Sequence, residues 1–75
     1  MKAYVLINVR AGETRAVVTR AKKIPGIKSV HACWGRPDVF AFVDVRNEKA
    51  LAETVLERIH DIDGVEATDT HIVIE

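Results

Sequence analysis

Two short segments of the sequence share one pattern, Ile24-Pro25-Gly26-Ile27 and Ile62-Asp63-Gly64-Val65. Each follows an amphipathic stretch and precedes a run rich in apolar or β-branched residues, so each reads as a helix exit into a strand. They lie about half the chain length apart and divide it into two units of strand, helix and strand. Between them Gly35-Arg36-Pro37-Asp38 separates two extended runs, which is the signature of a hairpin. A chain so divided is held to a small two-layer α+β arrangement.

The first strand spans residues 2–10, and a helix follows over 14–23 with Val17, Val18, Ala21 and Ile24 on one face. Pro25 stops that helix, because proline disfavours helical geometry in the residue before it. Strands are expected over 27–34 and 39–45. Asn47 is a good N-cap for a second helix running to about residue 61, with Leu51, Val55, Ile59 and Ile62 as its apolar stripe. The last strand covers 65–74. This order, βαββαβ, predicts a ferredoxin-like sandwich: a four-stranded antiparallel sheet with two helices on one face.

A sheet with one wet face should alternate apolar and polar residues. Here Ala3, Val5, Ile7 and Val9 oppose Tyr4 and Leu6, and Val39, Ala41, Val43 and Val45 oppose Phe40 and Phe42. Both faces are apolar near the sheet centre. Burying one such side chain is worth about 1.5–3 kcal/mol, so the face without helices is expected to pack on another copy of the chain. Length points the same way. Residues 1–75 are expected to form one domain, marginal as a monomer, and the single cysteine gives no internal disulfide. An unpaired thiol fits a reducing cytoplasm. No signal peptide is visible, and the opening apolar run is far shorter than the roughly 20 residues that span a membrane.

Eleven basic and 11 acidic residues leave the chain neutral, which argues against a nucleic-acid-binding domain. The densest basic run, Arg20 to Lys23, falls at the end of a helix, where the dipole favours cations. His31 and Cys33 share a strand face and His71 lies on the last strand, but the fold places those strands at opposite edges, and structural zinc wants four ligands. No metal and no cofactor is expected. Cys33 and His31 lack a carboxylate to orient them as a nucleophile pair. The acids of residues 53–63 belong to a solvated helix face, and Ala11-Gly12-Glu13 is too short for a phosphate loop. What remains is the hairpin tip. Gly35, Arg36 and Asp38 set a flexible backbone, a cation and an anion side by side, the chemistry a free amino acid requires. Thr68 and Thr70 share one face of the last strand and offer hydroxyls.

With Ile24-Pro25-Gly26-Ile27, Gly35-x-x-Asp38 and the closing Gly64-Val65-x-x-Thr68-x-Thr70-x-Ile72-Val73, the chain resembles the ligand-binding (RAM) domain of the Lrp/AsnC, or feast/famine, transcriptional regulators. The resemblance covers essentially the whole chain. It implies dimers made by face-to-face packing of two sheets, assembly of dimers into rings, commonly octamers, and small effectors, usually amino acids, bound between dimers. It assigns Gly35, Arg36 and Asp38 to the pocket hairpin and Thr68 and Thr70 to the closing strand. Pro37 departs from the pattern, since many members carry an aromatic or other non-proline residue there. Full regulators also place a helix-turn-helix domain ahead of this one, whereas Met1 opens the first strand here. The expectation is a stand-alone effector module that does not bind DNA itself and mixes into rings with full-length regulators. Two other readings stay open. A small dimeric α/β-barrel enzyme would need Asn8, His31 or Asp44 converging on an internal cavity, and a structural scaffold would need no ligand.

Overall fold

A computed structural model describes residues 1–75 and shows the ferredoxin-like sandwich. Strand β1 (Lys2–Val9) leads to helix α1 (Thr14–Ala21), then to β2 (Ile27–Ala32) and β3 (Val39–Asp44). Helix α2 begins at Glu48–Ala52 and continues without a break as a π-helix over Glu53–Ile59, before β4 (Val65–Ile72) closes the sheet. The sheet order is β2-β3-β1-β4, and every pair is antiparallel. The two strands nearest the chain's ends in sequence, β1 and β4, are thus neighbours, while β2 and β4 form the edges.

The helix-covered face holds the core. Ala3, Val5, Ile7 and Val9 of β1 and Val39, Ala41 and Val43 of β3 are buried against Val17 and Ala21 of α1 and Leu51, Val55 and Ile59 of the second helix. Asn47 caps that helix as expected: its side chain accepts from the Ala50 N–H at 2.8 Å.

The π-helical stretch departs from the regular helix expected there. The His60 N–H donates to the Val55 carbonyl, five residues back, at 3.1 Å. Thr54, buried at the start of the stretch, donates its hydroxyl to the Ala50 carbonyl at 2.9 Å and competes with the α-helical ladder there.

The open face carries an apolar stripe along its two central strands. Tyr4 is 49% exposed and Phe40 37% exposed, with Leu6 and Phe42 half-buried between them. The Tyr4 and Phe42 rings lie 5.0 Å apart, centre to centre. The edge strands present polar groups to this face: Ser29 and His31 are paired across from Phe42 and Phe40, and Asp69 and His71 across from Leu6 and Tyr4. No helix is long and apolar enough to cross a membrane.

Candidate functional site

The hairpin between β2 and β3 folds back onto the end of β1. Pairing of β1 with β3 stops at Ile7 and Val39, so Val9 has no strand partner on that side. Side chains of the hairpin replace the missing ladder. The Val9 N–H donates to Asp38 Oδ1 at 3.0 Å, and Arg36 Nη1 donates to the Val9 carbonyl at 3.0 Å. The Asp38 backbone N–H donates to the Ile7 carbonyl at 3.2 Å, and the Asp38 carbonyl accepts from the Cys33 N–H at 2.7 Å. Asp38 is therefore fixed by backbone as well as by its carboxylate, whose side chain is 17% exposed. Arg36 Nη1 lies 3.9 Å from Asp38 Oδ2. Gly35 marks the tip, with nothing within 4 Å of where a side chain would project. The bond joining Arg36 to Pro37 is cis.

Arg36 also reaches across the end of β1 to β4, where Nη2 lies 3.4 Å from Glu66 Oε1. Glu66 was not singled out from the sequence. It sits where the β1–β4 register shifts, between Asn8 and Val9, and no residue pattern marks such a shift. Next to it Arg10 Nη2 lies 3.3 Å from Asp63 Oδ1 and 3.5 Å from Glu13 Oε1. The hydrogen bond that Arg10 donates to Asp63, with the charge of Asp63 and the bond donated to Glu13, raises the Arg10 pKa above its ordinary value. Two guanidinium groups thus stand among four carboxylates at one end of the sheet, an excess of negative charge.

Thr68 and Thr70 do share a face, but it is the helix-covered one, across from Ile7 and Val5. The Thr68 hydroxyl lies 2.6 Å from His60 Nε2 at the exit of the π-helix. The structure joins Gly35, Arg36 and Asp38 to the start of β4 through Glu66, and it pairs Thr68 with His60 rather than with the hairpin. Three open depressions mark the surface, with volumes of about 320, 490 and 290 Å³, and none is lined by these five residues. Arg36 and Glu66 stand on exposed surface in the single chain, with the largely covered Asp38 carboxylate beside them.

The residues of the other readings are dispersed. His31 and His71 lie on opposite edges of the sheet, and His71 Nε2 lies 3.1 Å from Asp69 Oδ2. Asn8 is paired with Ala67 near one end of β1, and Asp44 with Lys2 at the other, so the polar groups of the barrel-enzyme reading do not converge within the chain. Asn8 Oδ1 is buried without a hydrogen-bond partner.

Comparison with known proteins gives a consistent picture. The family model described as the Lrp/AsnC ligand binding domain matches residues 2–75. The HTH-type transcriptional regulator FL11 of Pyrococcus furiosus is 33% identical over 73 residues, which cover 97% of this chain and 48% of the regulator. The chain spans about half the length of the regulators it matches. Among solved structures, TTHA0845 from Thermus thermophilus superposes with a TM-score of 0.94 at 27% identity, covering 99% of this chain and 92% of that one. The transcriptional regulator NMB0573 of Neisseria meningitidis, solved as an L-Met complex, superposes with a TM-score of 0.86 at 21% identity over 99% of this chain and 49% of that one.

Proposed function

This chain belongs to the Lrp/AsnC ligand-binding domain family, and we propose that it is a stand-alone effector module that binds a small amino acid between associated copies. Its relatives are named transcriptional regulators, which makes an enzyme role unfavourable. Dimers form through the open sheet face, where Tyr4, Leu6, Phe40 and Phe42 leave an apolar stripe that a second copy covers. Dimers then assemble into an octamer-like ring, and full-length relatives enter the same ring in the cytoplasm. The T. thermophilus chain, almost wholly covered by this one, supports a module of this size.

The observation that carries the ligand reading is the hairpin tip. Arg36 is held by Val9 and stands with Glu66 on exposed surface, beside an Asp38 carboxylate that is largely covered and fixed by the Val9 N–H. A preorganised pair of opposite charges that only a neighbour can enclose is suited to a ligand bound between copies. Arg36 takes the effector's carboxylate in exchange for Glu66, and the surplus carboxylates draw its ammonium. Gly35 leaves room for close approach, and Thr68 and Thr70 contribute from the closing strand. Ligand and assembly are then coupled, and each sets the strength of the other.

The test is thermal unfolding of the chain against each of the twenty amino acids at millimolar concentration, with chromatography by size beside it. A ligand at 100 times its Kd stabilises by about 2.7 kcal/mol, which in a domain this small raises the midpoint by roughly ten degrees or more. The expected result is a selective rise that Asp38→Asn removes. That variant retains an oxygen for the Val9 N–H and loses only the charge. Silence across the panel with a stable assembly favours the scaffold.

A further inference from the structure

We propose that Trp34 and the groove between α1 and β2 form a self-complementary contact, through which two copies of this chain dock with each indole in the other's groove. Trp34 stands just beyond the end of β2 and is wholly exposed. Tryptophan has the most apolar surface to lose to water and is enriched among residues that dominate interfaces. The groove begins two residues back on the same strand, at Ala32, and runs along α1 past Thr14, Arg15, Val18, Thr19 and Lys22, with a volume of about 490 Å³. Val18 and Ala32 supply its apolar lining. Its rim is Arg15 and Lys22, neither of which is held in an ion pair. An apolar lining beside free cations suits an indole, whose face attracts positive charge.

Knob and groove lie side by side on one edge of the chain. This is the arrangement from which a two-fold axis completes both halves at once, each tryptophan filling the partner's groove. The contact lies on the β2 edge and leaves the central stripe of the open face free. Two different self-complementary contacts on one chain link dimer to dimer, and such a series makes a ring where its rotation closes. The inference rests on the assembly reading above, supplies its second contact, and does not depend on which ligand binds.

Trp34 is the chain's single tryptophan, so emission excited at the red edge, where Tyr4 does not absorb, reports this residue alone. The experiment is a dilution series of the full chain, followed by emission maximum, acrylamide quenching and light scattering. As copies associate, the emission should move to the blue and quenching should fall severalfold. Thr19→Arg, at an exposed helix position, fills the groove; it should return the emission to that of a solvated indole. It should also weaken the association step roughly thirtyfold or more, as truncation of an interface anchor does. Trp34→Ala should weaken the same step, and circular dichroism checks that both variants fold. An indole that stays solvated at every concentration, with or without larger assemblies, overturns the proposal. So does a buried indole that Thr19→Arg leaves buried. A silent amino-acid panel beside a buried Trp34 would sink the ligand reading and leave this one standing.

Discussion

The two half-length units turn from helix to strand in the same way. Gly26 and Gly64 have φ values of 92° and 102°, a region open to glycine and strained for other residues. In the first unit the Ile27 N–H donates to the Ile24 carbonyl at 3.2 Å, and in the second the Val65 N–H donates to Ile62 at 3.2 Å. The Gly26 carbonyl accepts from the Asp44 N–H at 2.8 Å, and the Gly64 carbonyl from the Arg10 N–H at 2.8 Å. Each turn is thereby tied to a neighbouring strand end by one bond of the same kind. The helices before the turns differ. Helix α1 is regular and has no side-chain N-cap bond, whereas the second is capped by Asn47 and widens into a π-helix. Counted from each glycine, His60 and Thr68 correspond to Lys22 and Val30. Val30 is buried core, while Thr68 presents a hydroxyl to His60. The repeat carries the scaffold, and the polar pair His60 and Thr68 enters where the repeat breaks.

Alanine at the two glycines should break this likeness in a graded way. A Cβ on Gly64 would meet Glu13 Cβ at 2.8 Å and Val17 Cγ2 at 3.3 Å. The first is fixed to the backbone, and the second belongs to a fully buried residue. Strain at positive φ and overpacking add, so Gly64→Ala should destabilise by about 2–4 kcal/mol. A Cβ on Gly26 would come 2.7 Å from Val45 Cγ1, the end of a half-buried side chain that can turn away. Gly26→Ala should therefore cost less, about 1–3 kcal/mol. Urea unfolding at one fixed chain concentration ranks them, since association shifts the midpoint. Equal losses would mean that the turns are equivalent in packing as well as in backbone.

The helix starts give the next contrast. Asn47→Ala removes the one side-chain cap and should cost about 1 kcal/mol. Glu13→Ala, at the start of α1, removes only an exposed ion pair with Arg10 and should change stability by less than about 0.5 kcal/mol. A loss at Glu13 as large as that at Asn47 would show that α1 depends on its first turn as strongly as α2.

The backbone of this fold was legible because its signals are local. The two glycine turns, Pro25, the Asn47 cap and the apolar stripes each act within a few residues, and they set the element order and the sheet edges. The strands end a residue or two earlier than the apolar runs suggest. Trp34 and Ile74 are apolar yet exposed, and neither is in a strand. The hairpin residues were legible as a charged turn. Their partners were not. Glu66 meets Arg36 beside the slip in β1–β4 register, and His60 meets Thr68 at the exit of the widened helix. Both events depend on long-range packing that no short window of sequence reports. The four-residue spacing of Leu51, Val55 and Ile59 fits a regular helix and gave no sign of the wider turn.

One further small effect separates scaffold from site. The Thr68 hydroxyl lies 2.6 Å from the His60 ring nitrogen and is also a proposed contact of the effector. Both Thr68→Val and His60→Ala delete this exposed hydrogen bond, and each should cost about 0.5–1.5 kcal/mol of stability or less. On stability alone the two variants look alike. They part in the response to the amino acid that stabilises the native chain. If the hydroxyl serves the ligand, Thr68→Val should weaken that response, while His60→Ala should keep or strengthen it because the hydroxyl is released. If the hydroxyl serves only to pin the π-helix to β4, both variants should respond as the native chain does. A response lost in both would place the effect in the helix exit itself, since the one thing the variants share is the broken tie between His60 and the strand.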